Sequence, residues 1–238
     1  MFVHTTTIYG GSMWQDRTKI LLGENGLTKL SNSHVAIAGI GGVGGYVCLM
    51  LARAGVGKLT LIDFDVVDET NINRQIVATT KTVGNFKTEV MRSIIEEINP
   101  DCRVVVKTER ISKETLDLLL NDKYDYVVDA IDSVMDKVEL ICHCKSKNVS
   151  IVSAMGAGNR CDIPVFEVVD IYKTYNDGLA KVMRKALKAA GVKDLTVVTS
   201  FSKPQSISNP VGSISYYPAM CGCTISAWIV NQILESKI

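Results

Sequence analysis

The stretch 34–44 reads His34-Val-Ala-Ile-Ala-Gly39-Ile-Gly41-Gly42-Val-Gly44. Residues 34–39 make an apolar run of strand length, and the glycines that follow lead into 46–54, whose apolar positions recur at helical spacing. This is a strand, a tight turn and a helix. The backbone N–H groups of such a turn and the positive end of the helix can meet phosphate with no side chains in the way. A second apolar run, 58–64 (KLTLIDF), contains Asp63, 24 residues after Gly39, where an acid accepts hydrogen bonds from a ribose hydroxyl. On these residues alone a nicotinamide or flavin protein stays open.

Working outward, the spacing predicts a helix over 87–98, stopped by Asn99-Pro100, a strand over 103–107 and a helix over 112–120 with Ser112 as N-cap. A strand over 124–129, a helix over 136–146 and a strand over 149–153 follow. This alternation implies an α/β fold, a doubly wound, mostly parallel Rossmann-like sheet with helices on both faces. After Ala154 the order changes: Gly156, Gly158 and Pro164 mark a loop, 165–171 reads as a strand, 179–190 as a helix rich in Lys and Arg, and 195–199 as one more strand. That half extends the same sheet. With no repeat, low-complexity tract or linker, 1–238 reads as one domain: a helical segment at about 13–32, a nucleotide-binding half at 33–153 and a substrate-side half at 154–238.

Of the 238 residues 47% are hydrophobic and 21% charged, which excludes a disordered chain and provides a sizeable core. Lys plus Arg is 26 against 25 for Asp plus Glu, so no overall field draws in nucleic acid or anionic lipid. Any basic surface is local, and one exists: 173–203 holds seven basic and two acidic residues. The N-terminal 16 residues lack the pattern of a secretory signal, and seven cysteines form no disulfide framework, so a cytoplasmic setting is expected. No charge occurs between Pro204 and Leu234, but Pro218, Gly222, Thr224, Ser226, Asn231 and Gln232 interrupt the apolar tail. The tail reads as a helix buried in the core or a subunit interface, without stable membrane insertion.

The residues after the second strand carry the chemistry: Asp63-Phe-Asp65, then Asn71-Ile-Asn73-Arg74-Gln75, then Val83-Gly84-Asn85-Phe86-Lys87. A dinucleotide pyrophosphate is held largely by backbone donors, whereas a triphosphate under attack needs fixed cations, and Arg74 and Lys87 supply two. Asp129-Ala-Ile-Asp132 closes the fourth strand with two acids, one of which could hold Mg²⁺ directly or through water. Asn71 and Asp132 also fit solvated loop positions.

Taken together, the GxGGxG loop, DFD, NxNRQ, VGxxK and DAIDS resemble the E1-like adenylating enzymes, over roughly 17–153 and beyond. The resemblance implies a homodimer that adenylates a carboxylate with ATP and Mg²⁺. It places the nucleotide on Gly39, Gly41, Gly42, Gly44, Asp63, Asp65, Asn71, Asn73, Arg74, Gln75 and Lys87. It assigns Asp63 to ribose, Asn71, Arg74 and Lys87 to the phosphates, and Asp132 to the metal. Arg17 falls where the family supplies an arginine to the neighbouring subunit's ATP. Arg74, Lys87, Asp132 and Arg17 are thus the expected catalytic set.

Members that activate sulfur-carrier proteins usually hold zinc with two CxxC pairs, which this chain lacks, so no zinc is expected. The segment 170–184, Asn99-Pro-Asp-Cys102 and Ser153-Ala-Met-Gly156-Ala157 are instead similar to the tRNA threonylcarbamoyladenosine dehydratases, which implies a tRNA substrate. Gly178 departs from the proline common there, and the loop 200–218 looks short. Cys221 lies where some members carry a reactive cysteine, although uncharged surroundings would raise its pKa. Adenylation of a sulfur-carrier protein's C-terminal glycine is the nearer alternative, a sulfur-transfer protein a possible partner, and an NAD- or FAD-binding module the distant alternative.

Overall fold

The computed structural model describes residues 13–205 and 210–236. Part of the N-terminal stretch read for a targeting signal, and part of the 200–218 loop, lie outside them.

A 3-10 turn at Met13–Gln15 opens into α1 (Asp16–Ser31), which kinks at Gly23, whose φ is +70°. The core unit is β1 (His34–Ala38), α2 (Gly44–Ala54), β2 (Lys58–Ile62), α3 (Lys87–Ile98) and β3 (Arg103–Lys107). Then come α4 (Leu116–Leu119), β4 (Tyr126–Asp129), α5 (Val134–Ser146) and β5 (Ile151–Ala154). The second half adds β6 (Glu167–Asp170), α6 (Gly178–Ala189), β7 (Thr196–Thr199) and α7 (Tyr216–Glu235).

The seven strands form one sheet in the order β3-β2-β1-β4-β5-β7-β6. All neighbours are parallel except β6, which runs antiparallel to β7 with Val168 opposite Val198. The sheet is covered on both sides, which is why all five residues of β1 are buried. Val35, Ile37, Leu59 and Leu61 pack one way with Leu30, Leu51, Ile95 and Ile229 of α1, α2, α3 and α7. Ala36, Ala38, Ile62 and Val127 pack the other way with Leu116, Leu140, Ile141, Met183 and Leu187 of α4, α5 and α6.

The expected α/β architecture is therefore present, with the strands expected over 58–64, 124–129 and 165–171 trimmed to β2, β4 and β6 and one helix cut to a single turn. The helix expected over 112–120 is only Leu116–Leu119, because Ser112 closes a turn by accepting Thr115 N–H at 3.1 Å and does not cap a helix. Ser133 caps α5 by accepting from Asp136 N–H, which starts that helix two residues before the expected position.

The uncharged tail is α7, laid across α2. At Gly222 the helices approach so closely that an added Cβ would stand 2.6 Å from the Val43 carbonyl oxygen. Cys221 is fully buried and burial pushes its thiol up to about 12, so it is protonated at neutral pH and packs as a small apolar side chain. Among the described residues no helix is long and apolar enough to cross a membrane.

Candidate active site

The strand order reverses between β1 and β4, and in doubly wound sheets the crevice at the carboxyl ends of such a pair receives the ligand. A cleft of about 530 Å³ lies there. Its floor is the glycine loop. Gly39 has φ +88°, and an added Cβ would stand 2.7 Å from Ala130 O, so β1 can turn this close to β4 only without a side chain. Gly44 is tighter still, with an added Cβ 1.8 Å from Gly39 O.

Gly41 differs from both. Its φ lies outside the left-handed region, and an added Cβ would meet nothing nearer than Gln75 Nε2 at 3.8 Å. The space above it belongs to the cleft. Gly44→Ala is therefore expected to abolish folding or lower stability by more than about 4 kcal/mol. Gly41→Ala should melt like the wild type yet raise KM for ATP by about tenfold, because a methyl group fills the phosphate cradle. Thermal melts and ATP titration of turnover separate the two, and an unchanged KM in Gly41→Ala would remove the loop from phosphate binding.

Asp63 ends β2 and fixes the loop's shape: Oδ2 accepts from Ile40 N–H at 2.6 Å and Oδ1 from Asp65 N–H at 2.9 Å. Burial raises its pKa, against the opposing pull of those two N–H groups and of Lys87. Lys87 begins α3, is itself buried, and reaches Asp65 Oδ2 at 2.7 Å. Arg74 reaches the cleft from the turn after Asn71, its Nη1 donating to Thr70 O at 2.9 Å and Asn73 Oδ1 at 2.8 Å. Gln75 lines the same wall, and its buried Oε1 has no hydrogen-bond partner among the described residues. A buried amide left short of a partner beside a glycine loop fits a site completed by a polar ligand.

Asp132 is exposed at the cleft, just after β4. Asp129, the other acid of that pair, is fully buried. Its Oδ2 lies 3.0 Å from Lys137 Nζ, whose other bonds run to Ile131 O (3.1 Å) and Ala154 O (3.0 Å). Of the pair, Asp132 alone lines the cleft. Five carboxylates, Asp63, Asp65, Glu109, Asp132 and Asp136, line the cleft against two cations, a balance that favours an added divalent cation beside a polyanion. Among the described residues no three His, Cys, Asp or Glu side chains cluster to hold a metal by themselves. A cation there would draw on phosphate oxygens and water, as Mg²⁺ commonly does.

The structure brings Gly39, Gly41, Gly42, Asp63, Asp65, Arg74, Gln75, Lys87 and Asp132 to the cleft, with Gly44 directly beneath. Asn71 and Asn73 do not line it. Asn71 is buried and its Oδ1 accepts from Asp68 N–H at 3.2 Å, closing the 3-10 turn Glu69–Asn71. Asn73 donates to Ser213 O at 3.1 Å and steadies Arg74. Arg17 is exposed on α1, away from this chain's own cleft.

Besides Glu109 and Asp136 of the cleft lining, two buried residues escaped the sequence reading. Lys137 occupies a position of the buried stripe 137, 140, 141 and 144 of α5, a lysine on an apolar face that signals a buried partner. Arg160, buried without a carboxylate, donates to Gly156 O, Asn176 O and Ser202 O at 2.9–3.0 Å and gathers the substrate-side loops. Nothing in its local sequence signals this.

A doubly wound sheet whose glycine loop, buried lysine, arginine and exposed aspartate meet at the switch point defines a nucleotide-binding protein built to handle phosphates. The chain belongs to the ThiF family, which matches residues 16–237. It is 34% identical over 238 residues to the tRNA threonylcarbamoyladenosine dehydratase of Bacillus subtilis, covering 92% of this chain and 94% of that one. The Escherichia coli protein of the same name is 41% identical over 179 residues, 74% of this chain and 67% of the relative. The crystal structure of the E. coli dehydratase in complex with ATP superposes with a TM-score of 0.88 at 33% identity, covering 95% and 97% of the two chains.

Proposed function

We propose that this protein catalyses the ATP-dependent cyclisation, by loss of water, of N6-threonylcarbamoyladenosine at position 37 of tRNA. The observation that carries the reading is the meeting of Arg74, Lys87 and Asp132 above a side-chain-free glycine loop, in a chain similar over nine-tenths of its length to a dehydratase of that substrate.

The ionised threonyl carboxylate attacks the α-phosphate of ATP, giving an acyl-adenylate and pyrophosphate. No general base is needed, because the nucleophile is already an anion. Arg74 and Lys87 stabilise the charge that gathers on the phosphates, and Asp63 accepts from the ribose. Mg²⁺, held by Asp132, would add Lewis-acid stabilisation at the phosphate oxygens. The ureido group of the same side chain then attacks the activated carbonyl, closing a ring and releasing AMP. Intramolecular attack carries a large effective molarity, so the cleft has mainly to position and dry the reacting groups.

The protein acts as a homodimer in this reading. Ile20 and Leu21 of α1 are each 81% exposed close to Arg17, an apolar surface suited to a second copy that brings its Arg17 to this cleft. A cytoplasmic setting, where ATP and tRNA meet, and a sulfur-transfer protein as a further partner complete the proposal.

Mass spectrometry of nucleosides from threonylcarbamoyl-modified tRNA, incubated with the protein and MgATP and digested mildly, tests it. The expected product is a nucleoside lighter by one water, with AMP formed in step. An unchanged nucleoside alongside adenylation of a sulfur-carrier protein would keep the site and overturn the substrate.

A further inference from the structure

We propose that Tyr175, stacked on Phe201, is a platform for an unpaired base of the tRNA anticodon loop while the neighbouring modified adenosine enters the cleft. This deepens the tRNA reading and rests on it. The two rings lie 4.2 Å apart, centroid to centroid, and 13° from parallel. Tyr175 is nonetheless 57% exposed, whereas a stacked pair serving only the core would be buried.

The pair is held against the cleft wall. Asn176, in the left-handed region at φ +55°, donates to Phe201 O at 2.9 Å and so ties the two loops together. The buried Arg160 donates to Asn176 O and Ser202 O on those loops and to Gly156 O, a residue of the cleft wall. Asp177 accepts from Gly156 N–H at 2.9 Å and from Thr199 Oγ1 at 3.0 Å, and it caps α6 through Ala180 N–H. Leu179, four residues after Tyr175, lines the cleft. The aromatic pair is thus tied by a network of polar bonds, part-buried and buried behind an exposed Asn176 link, to the wall beside which the substrate nucleotide must sit.

Its surroundings select an RNA occupant. Lys173, Lys181 and Lys203 are exposed on the same segments. Of the two acids of 173–203, Asp177 is buried and the exposed Asp194 is offset by Lys145 at 2.5 Å, so neither opposes the lysines strongly. An exposed aromatic ring among lysines binds single-stranded nucleic acid by stacking and phosphate attraction. A nucleotide undergoing chemistry leaves the loop's stack, and its neighbour then needs a new surface to stack on.

The probe is an anticodon stem-loop RNA carrying threonylcarbamoyladenosine, with 2-aminopurine at the adjacent unpaired position. Wild type should quench the 2-aminopurine on binding. Tyr175→Leu, which keeps apolar bulk, should lose the quenching and raise Kd and KM for the RNA by about tenfold, within the range for one stacked base. KM for ATP and the melting temperature should hold, and Tyr175→Phe should match wild type. Wild-type quenching and affinity in Tyr175→Leu would overturn the platform, and so would failure of Tyr175→Phe to bind like wild type. No turnover by the wild-type protein would bring down the tRNA reading itself. Turnover that Tyr175→Leu matches in every constant would bring down the platform alone.

Discussion

Arg74→Ala is expected to lower kcat by about a thousandfold while leaving the melting temperature within a degree or two. The size follows from charge: a fixed cation at a transferring phosphate contributes about 10²–10⁵ in rate, and among the described residues the cleft is lined by two cations, Arg74 and Lys87. The fold should survive, because Arg74 is half-exposed and its bonds run to Thr70 O and Asn73 Oδ1 within its own turn. Lys87 would not give so clean a test, being buried against Asp65.

The same variant examines the second copy. If Arg17 acts across the dimer, Arg17→Ala is also inactive, yet mixing it with Arg74→Ala restores activity. Half the dimers are then mixed, and each has one site with both arginines, so about a quarter of the wild-type rate should return. Full activity in Arg74→Ala would sink the phosphate assignment, and a mixture as dead as its components would sink the shared site.

Lys137→Met should cost about 3–5 kcal/mol of stability, the usual effect of removing one partner from a buried ion pair. Lys137 and Asp129 are both fully buried, and the ammonium's neighbours, Asp129, Ile131 O and Ala154 O, join the ends of β4 and β5 to α5. Removing the lysine leaves a carboxylate buried among apolar groups with only Ser153 Oγ and Ile131 N–H to solvate it. Adding Asp129→Asn to Lys137→Met removes the orphaned charge and should recover a large part of the loss. Denaturant titrations of the three variants check this. A double variant no more stable than Lys137→Met would mean that the lysine acts through packing alone.

Several features are readable along the chain because their causes are local. The glycine run between an apolar strand and a helix dictates a tight turn, and 87–98 and 103–107 coincide with α3 and β3 because Asn99-Pro100 ends the one and an apolar run defines the other. Asp63 and Lys87 reach the cleft for the same reason: one directly follows β2 and the other starts α3, where chain direction aims them at the switch point, while Arg74 is carried there by the turn after Asn71 in the connection between the two. The ThiF family membership was likewise written in the order of these motifs.

Other features depend on which side chains folding brings into contact. Asp129 and Asp132 are alike in sequence, and what distinguishes them is Lys137, brought to Asp129 by the packing of α5 on β4. Asn71 reads like a phosphate ligand, but its amide is spent on a turn whose closure needs Asp68. The antiparallel course of β6, the bonds of Arg160 to Asn176 O and Ser202 O, and the stacking of Tyr175 on Phe201 all join segments 16 or more residues apart. Sequence alone dictates where the glycine loop meets a helix N-terminus, because that is a local device. Which carboxylate faces the cleft, and what surface flanks it, were settled only by tertiary packing, because burial and pairing are properties of neighbours in space.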